Sequence, residues 1–80
     1  MYYFDIEESF SSQDEQVCRW MLENFKKHSW EFSFYEENRA STFNDYKTIY
    51  YRYKLRDVPY EDIVKLKLVF PFLDIRTMDT

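Results

Sequence analysis

The chain is 80 residues long with a net charge of −4, two tryptophans, eight tyrosines, eight phenylalanines, one cysteine, one histidine and no glycine. A lone cysteine excludes an intrachain disulfide and a cysteine-based zinc site. The lack of glycine excludes the Walker A and dinucleotide fingerprints, whose backbones must approach phosphate closely.

In chain order, YYFDIE (2–7) alternates Tyr2, Phe4 and Ile6 with Tyr3, Asp5 and Glu7, the pattern of a half-buried strand. Ser12 with Glu15 three residues later reads as a capping box, with Ser11 competing as N-cap. It opens a helix predicted over 13–28. Val17, Cys18, Met21, Phe25 and His28 share one core-facing stripe, while Arg19, Glu23, Lys26 and Lys27 take the wet side. Trp20 lies outside the stripe and is expected either under a covering loop or exposed to a partner. WEFSFYE (30–36) alternates with Trp30, Phe32 and Phe34 inward. ENRASTFND (37–45) reads as a loop carrying Phe43, and Asn38, Asn44, Asp45, Asp57 and Pro59 are the turn formers of a chain without glycine.

The stretch DYKTIYYRYKL (45–55) reads as a strand over 46–55. Ile49, Tyr51, Tyr53 and Leu55 form its core row; Tyr46, Thr48, Tyr50, Arg52 and Lys54 form the other. Residues 59–70 admit two readings. Asp57, Pro59, Glu61 and Asp62 are helix-start residues. Yet Val64, Leu66, Leu68 and Phe70 alternate with Lys65 and Lys67 as in a strand, and Lys67 would fall inside a helix's apolar arc. Pro71 ends either element, and FLDIRT (72–77) reads as a short last strand.

The expected fold is α+β, one domain over 1–80. A small antiparallel sheet carries one long amphipathic helix (13–28) on one face, either as a βαββαβ ferredoxin-like split or, alternatively, as βα followed by a β-meander with 62–70 as a strand. The bulky rings compensate for a small core, because each buried aromatic removes roughly 150–250 Å² from water. With no apolar run of membrane-spanning length and no basic leader before an apolar stretch, a cytoplasmic protein is expected.

Two surfaces stand out. The first is the row Tyr46, Tyr50, Arg52 and Lys54, joined by the off-stripe Trp20 as a candidate partner-binding set, since Trp, Tyr and Arg dominate interface hot spots. Exposed rings among bases also stack nucleobases and neutralise phosphate. In a βαββαβ order this would be the third strand, where it resembles the stacking strand of RNA-recognition motifs; that family has glycines there and this chain has none. The second is the acidic edge Asp5, Glu7, Glu8, Asp14 and Glu15, which has no base among residues 1–15. It reads as helix-start electrostatics or as a phosphate-mimicking decoy.

His28 and Cys18 read as structural, and ten residues of helix, about 15 Å, separate them too widely for a dyad. No catalytic constellation, cofactor or metal is implied, so an enzyme is not expected. The leading expectation is a small protein that binds another protein; the alternative is a single-stranded nucleic-acid or RNA-binding module using the Tyr/Arg/Lys face. Edge-strand pairing into a homodimer is a further expectation. Short, aromatic-rich, glycine-poor chains of this kind resemble phage accessory proteins, including inhibitors of host or defence proteins, which would place it in the host cytoplasm.

Overall fold

The computed structural model describes residues 1–40 and 45–78, without the side chains of 39, 40, 45 and 46. It shows four strands, β1 (Tyr2–Glu7), β2 (Trp30–Ala40), β3 (Asp45–Leu55) and β4 (Arg76–Thr77), and two helices, α1 (Ser11–Asn24) and α2 (Tyr60–Val69). The strands form one antiparallel sheet in the order β2-β3-β1-β4. The α+β expectation therefore holds, with a second helix where a strand was the alternative.

The core is the helix-side face of β1 and β3. Phe4 and Ile6 face Tyr53 and Tyr51 across the β1–β3 ladder. Phe4 and Tyr53 stack at 4.9 Å between ring centroids, and both are fully buried. Val17 and Met21 of α1 and Ile63 and Leu66 of α2 close this layer, with Phe25, Phe70 and Leu73 from the connections. The Tyr53 hydroxyl donates to the Asp14 carboxylate at 2.5 Å, which ties the first turn of α1 to the sheet centre. The alternation in 2–7 and 46–55 thus marks the rows correctly, because a strand's side chains have period two.

Both ends of α1 differ from the expected 13–28. A 3₁₀ turn over Glu8–Phe10 runs straight out of β1 into the helix, so Ser11 and Ser12 are already helical and no side chain caps the start. Carbonyls of such a turn can receive the amides that a cap would otherwise serve. At the other end Phe25 is extended, with ψ at 150°, which drives its ring into the core and stops the helix four residues before His28. The chain reverses over 26–29: Ser29 donates to the Lys26 carbonyl through both N–H (3.1 Å) and Oγ (2.6 Å), and His28 takes the left-handed conformation at φ 72°. In a chain without glycine a histidine fills the position that glycine would occupy most cheaply.

The 37–45 loop is shorter than expected, since β2 continues through Ala40 in register with Asp45; Phe43 lies outside the described residues. Residues 60–69 are helical, so the meander alternative is overturned. The alternation misled because Val64, Leu68 and Val69 are exposed on the outside of α2. Lys67 escapes the apolar arc by reaching past the helix end to donate to the carbonyls of Pro71 and Leu73. Trp20 is half-buried, with edge-on contacts to Phe25 (5.3 Å) and Phe70 (6.1 Å). Its cover comes from the segment after α2.

His28→Gly raises unfolding free energy by on the order of 0.5–1 kcal/mol and His28→Val lowers it by about 1–2 kcal/mol, because β-branching is least tolerated at positive φ. Urea unfolding checks both, and equal effects would sink the strain assignment. Burial and the Asp14 hydrogen bond raise the Tyr53 phenol above its ordinary pKa. A raised folded-state pKa gives stability that is complete below the free phenol's ~10 and is lost as pH rises beyond it. Above that pH the wild type loses up to about 1.4 kcal/mol per pH unit through this group, a slope absent from Tyr53→Phe, which is itself less stable at neutral pH by about 1 kcal/mol.

Candidate functional site

The sheet face turned away from the helices carries Tyr3, Asp5 and Glu7 on β1, Thr48, Tyr50, Arg52 and Lys54 on β3, and Glu31, Ser33, Tyr35 and Glu37 on β2. Neither helix covers it. Its centre is a clasp across three strands. Arg52 and Asp5 are direct cross-strand partners, and the guanidinium grips the carboxylate with two hydrogen bonds, Nε to Oδ1 at 2.8 Å and Nη2 to Oδ2 at 3.0 Å. Tyr35 reaches over from β2 and donates its hydroxyl to Asp5 Oδ2 at 2.9 Å. The rings of Tyr3 and Tyr35 lie 4.8 and 4.7 Å from Arg52 Cζ, one on either side of β3. Tyr50 stacks on Tyr35 at 5.3 Å with 18° between the ring planes.

These contacts set the electrostatics. The hydrogen bond to Asp5 raises Arg52 well above the ordinary arginine range. Burial first, and then the hydrogen bond to Asp5, raise the Tyr35 phenol, so it remains a neutral donor. At the margin Arg56 pairs with Glu31 at 3.2 Å and Arg76, opposite Tyr3 on β4, pairs with Asp74 at 2.8 Å. Lys54 is half-buried and makes no ion pair among the described residues.

Of the candidate partner-binding residues, Tyr50, Arg52 and Lys54 therefore share one face, and the backbone of Tyr46 continues the same row, its side chain lying outside the described residues. Asp5 neutralises Arg52 within this row. Trp20 is not part of this face: it sits on α1, on the helix side of the sheet. The acidic set is likewise divided rather than forming one edge. Asp5 belongs to the clasp, Asp14 accepts from Tyr53 on the opposite side of the sheet, Glu15 pairs with Arg19 at 3.2 Å, and Glu7 and Glu8 remain by the 3₁₀ turn.

Tyr3 and Tyr35 are the site residues that the pattern of one strand could not reveal. Their signal was parity alone: each is an outward residue of an alternating strand, and its neighbours follow from the register. Among the described residues no group of three or more His, Cys, Asp or Glu side chains is placed to hold a metal ion. No described helix is long and apolar enough to cross a membrane. Comparison with family models, curated proteins and solved structures finds no match.

The clasp is testable as a unit. A double-mutant cycle of Asp5→Ala and Arg52→Ala gives a coupling of about 1–2 kcal/mol, above the 0.2–1 kcal/mol of exposed pairs because the fork is bidentate and half-buried. Arg52→Lys loses about 1 kcal/mol, since an ammonium cannot make the fork. Equilibrium unfolding in urea measures both; a coupling near zero would reduce the clasp to surface decoration.

Proposed function

We propose that the protein is a non-catalytic binding factor that docks another protein on the open sheet face, through Tyr3, Tyr35 and Tyr50 with Lys54 at the margin. The observation that carries this reading is the pre-assembled clasp. Three rings are held by a charge pair and by each other before any partner arrives. Rigid aromatic side chains lose little freedom on binding, which is why they serve as interface anchors. The topology supports a finer description of the fold as well. The order β2-β3-β1-β4, with a helix in each crossover, suits a ferredoxin-like split, in which each βαβ unit leaves room for one strand between its own two. A role as a phage-type inhibitor or modulator of a host or defence protein is compatible with this face, and composition alone supports that part of the proposal.

A single-stranded nucleic acid is the weaker reading. The central cation is already paired with Asp5, and Glu7, Glu31 and Glu37 lie on the same face, so a phosphate chain would meet little unspent positive charge.

The test uses the intact chain as bait in its native host. One dominant protein is retained by the wild type and lost with Tyr50→Ala/Lys54→Glu, while Leu68→Glu on the outside of α2 leaves retention unchanged; circular dichroism confirms that all three are folded. Retention by the Tyr50/Lys54 variant would overturn the site. Binding of a mixed single-stranded oligonucleotide that falls steeply as salt rises would transfer the face to nucleic acid.

A further inference from the structure

The other side of β2 poses a separate problem. Trp30, Phe32 and Phe34 occupy its helix-facing row, but only Trp30 is half-buried; Phe32 is 48% exposed and Phe34 67%. Leu22 of α1, 67% exposed, lines a hollow with Phe25 and Trp30 at the start of the same row. The helices pack over β1 and β3 and leave this row uncovered. β2 is also the outermost strand of the sheet, eleven residues long, and its outer edge pairs with nothing among the described residues. An edge this long with apolar side chains is a template for another strand. The opposite edge, β4, has two residues and offers far less.

We infer that the outer edge of β2 pairs antiparallel with β2 of a second copy of this chain, about a twofold axis beside Ser33. A twofold axis perpendicular to the sheet keeps the same face up in both copies, so paired residues have equal parity and the axis passes beside one residue. The sequence of β2 then chooses among a handful of registers. With the axis beside Ser33, Phe32 faces Phe34 of the second copy on both sides of the axis, Trp30 faces Glu36, and Glu31 faces Tyr35, so no like charges meet over the 30–36 ladder. Moving the axis to Phe34 sets Glu31 opposite Glu37 twice, and like charges directly opposite are destabilising. Moving it to Tyr35 faces Phe34 with Glu36 and Phe32 with Asn38. Beside Glu36 or Glu37 a glutamate faces itself. Beside Phe32 the rings still meet, but the ladder shortens to 30–34.

The four exposed rings that this pairing brings side by side present on the order of 450 Å² of ring surface, of which the facing sides leave water. The neighbouring strand positions add to it, and an interface at or below the low end of the specific range is expected to hold a weak, concentration-dependent dimer. The pairing would also place the Tyr35 clasps of both copies on one side of a continuous sheet. It does not depend on what the open face binds.

Sedimentation equilibrium on the full chain should show the mass rising from one chain to two between low micromolar and near-millimolar protein. Phe34→Lys, at a side chain already mostly in water, weakens the dimer at least roughly tenfold while the circular dichroism stays native. Tyr50→Ala leaves the mass distribution unchanged, and monomeric Phe34→Lys still retains the open-face partner, so the two readings fail separately. The register is read by cross-linking in a Cys18→Ala background. Ser33→Cys meets its own copy across the axis within disulfide range and oxidises to a covalent dimer faster than Glu31→Cys. A single-chain mass at every concentration, a dimer indifferent to Phe34→Lys, a dimer lost instead with Leu68→Lys on α2, or Ser33→Cys cross-linking no faster than Glu31→Cys would each overturn the inference.

Discussion

The position of Tyr53 decides most of this structure. Its ring fills the sheet centre against Phe4, with Trp30 and Phe32 at 5.8 and 5.2 Å, and its hydroxyl cannot be left unpaired in an apolar layer. Asp14 supplies the acceptor, and that requirement fixes where the first turn of α1 must sit. The Phe4–Tyr53 pairing does a second thing. Strand register is all-or-none, so seating Phe4 opposite Tyr53 necessarily seats Asp5 opposite Arg52 on the other face. The open-face clasp is thus positioned by the core. A one-residue slip would cost the buried stack and the charge pair together, which is how a sheet of four strands holds one register without a disulfide.

A chain without glycine can reverse direction under strain. Between α1 and β2 it uses strain, with His28 at positive φ and Ser29 bonded back to Lys26. β2 and β3 pair over eleven residues each, from Trp30 and Leu55 to Ala40 and Asp45. Phe32 and Phe34 lie level with the Phe4–Tyr53 and Ile6–Tyr51 core pairs, so their exposure follows from the outer position of β2 in the sheet and not from its length.

Much of this was legible in the residues. Periodicity identified the core rows of β1 and β3 and the outward row that holds Tyr50, Arg52 and Lys54 through alternation, and the existence of α1 through a helical stripe. It could not identify the ends of α1, because the helix boundary was set by tertiary demands: the buried ring of Phe25 at one end and a 3₁₀ turn at the other. It misjudged Phe32 and Phe34 because alternation reports which side of a strand a residue is on, and coverage depends on whether another layer reaches that side. It left residues 60–69 open because both periods fit ten residues of mixed apolar and lysine character. Lys67 was the apparent obstacle to a helix, and a long side chain can leave an apolar arc by extending past the helix end, as its bonds to Pro71 and Leu73 show.

An arginine among tyrosines can serve opposite functions, according to whether its charge is free or paired. A free arginine between two tyrosines is an anion receptor. Here the Nε/Nη2 edge of the Arg52 guanidinium is taken by Asp5, and the rings of Tyr3 and Tyr35 lie 4.8 and 4.7 Å from its carbon. A phosphate seeking the same bidentate grip would have to displace a carboxylate that also accepts from Tyr35, leaving Asp5 and the Tyr35 hydroxyl to find new partners. Breaking such a half-buried pair costs more than a solvent-exposed phosphate contact returns. A ligand that leaves the clasp intact meets no such penalty: it lies on ring faces already held in place and gains from shape and apolar contact. Internal charge pairing therefore leaves this face with less free positive charge than its residue types suggest, and it does so through the ladder that the buried Tyr53 stack keeps in register.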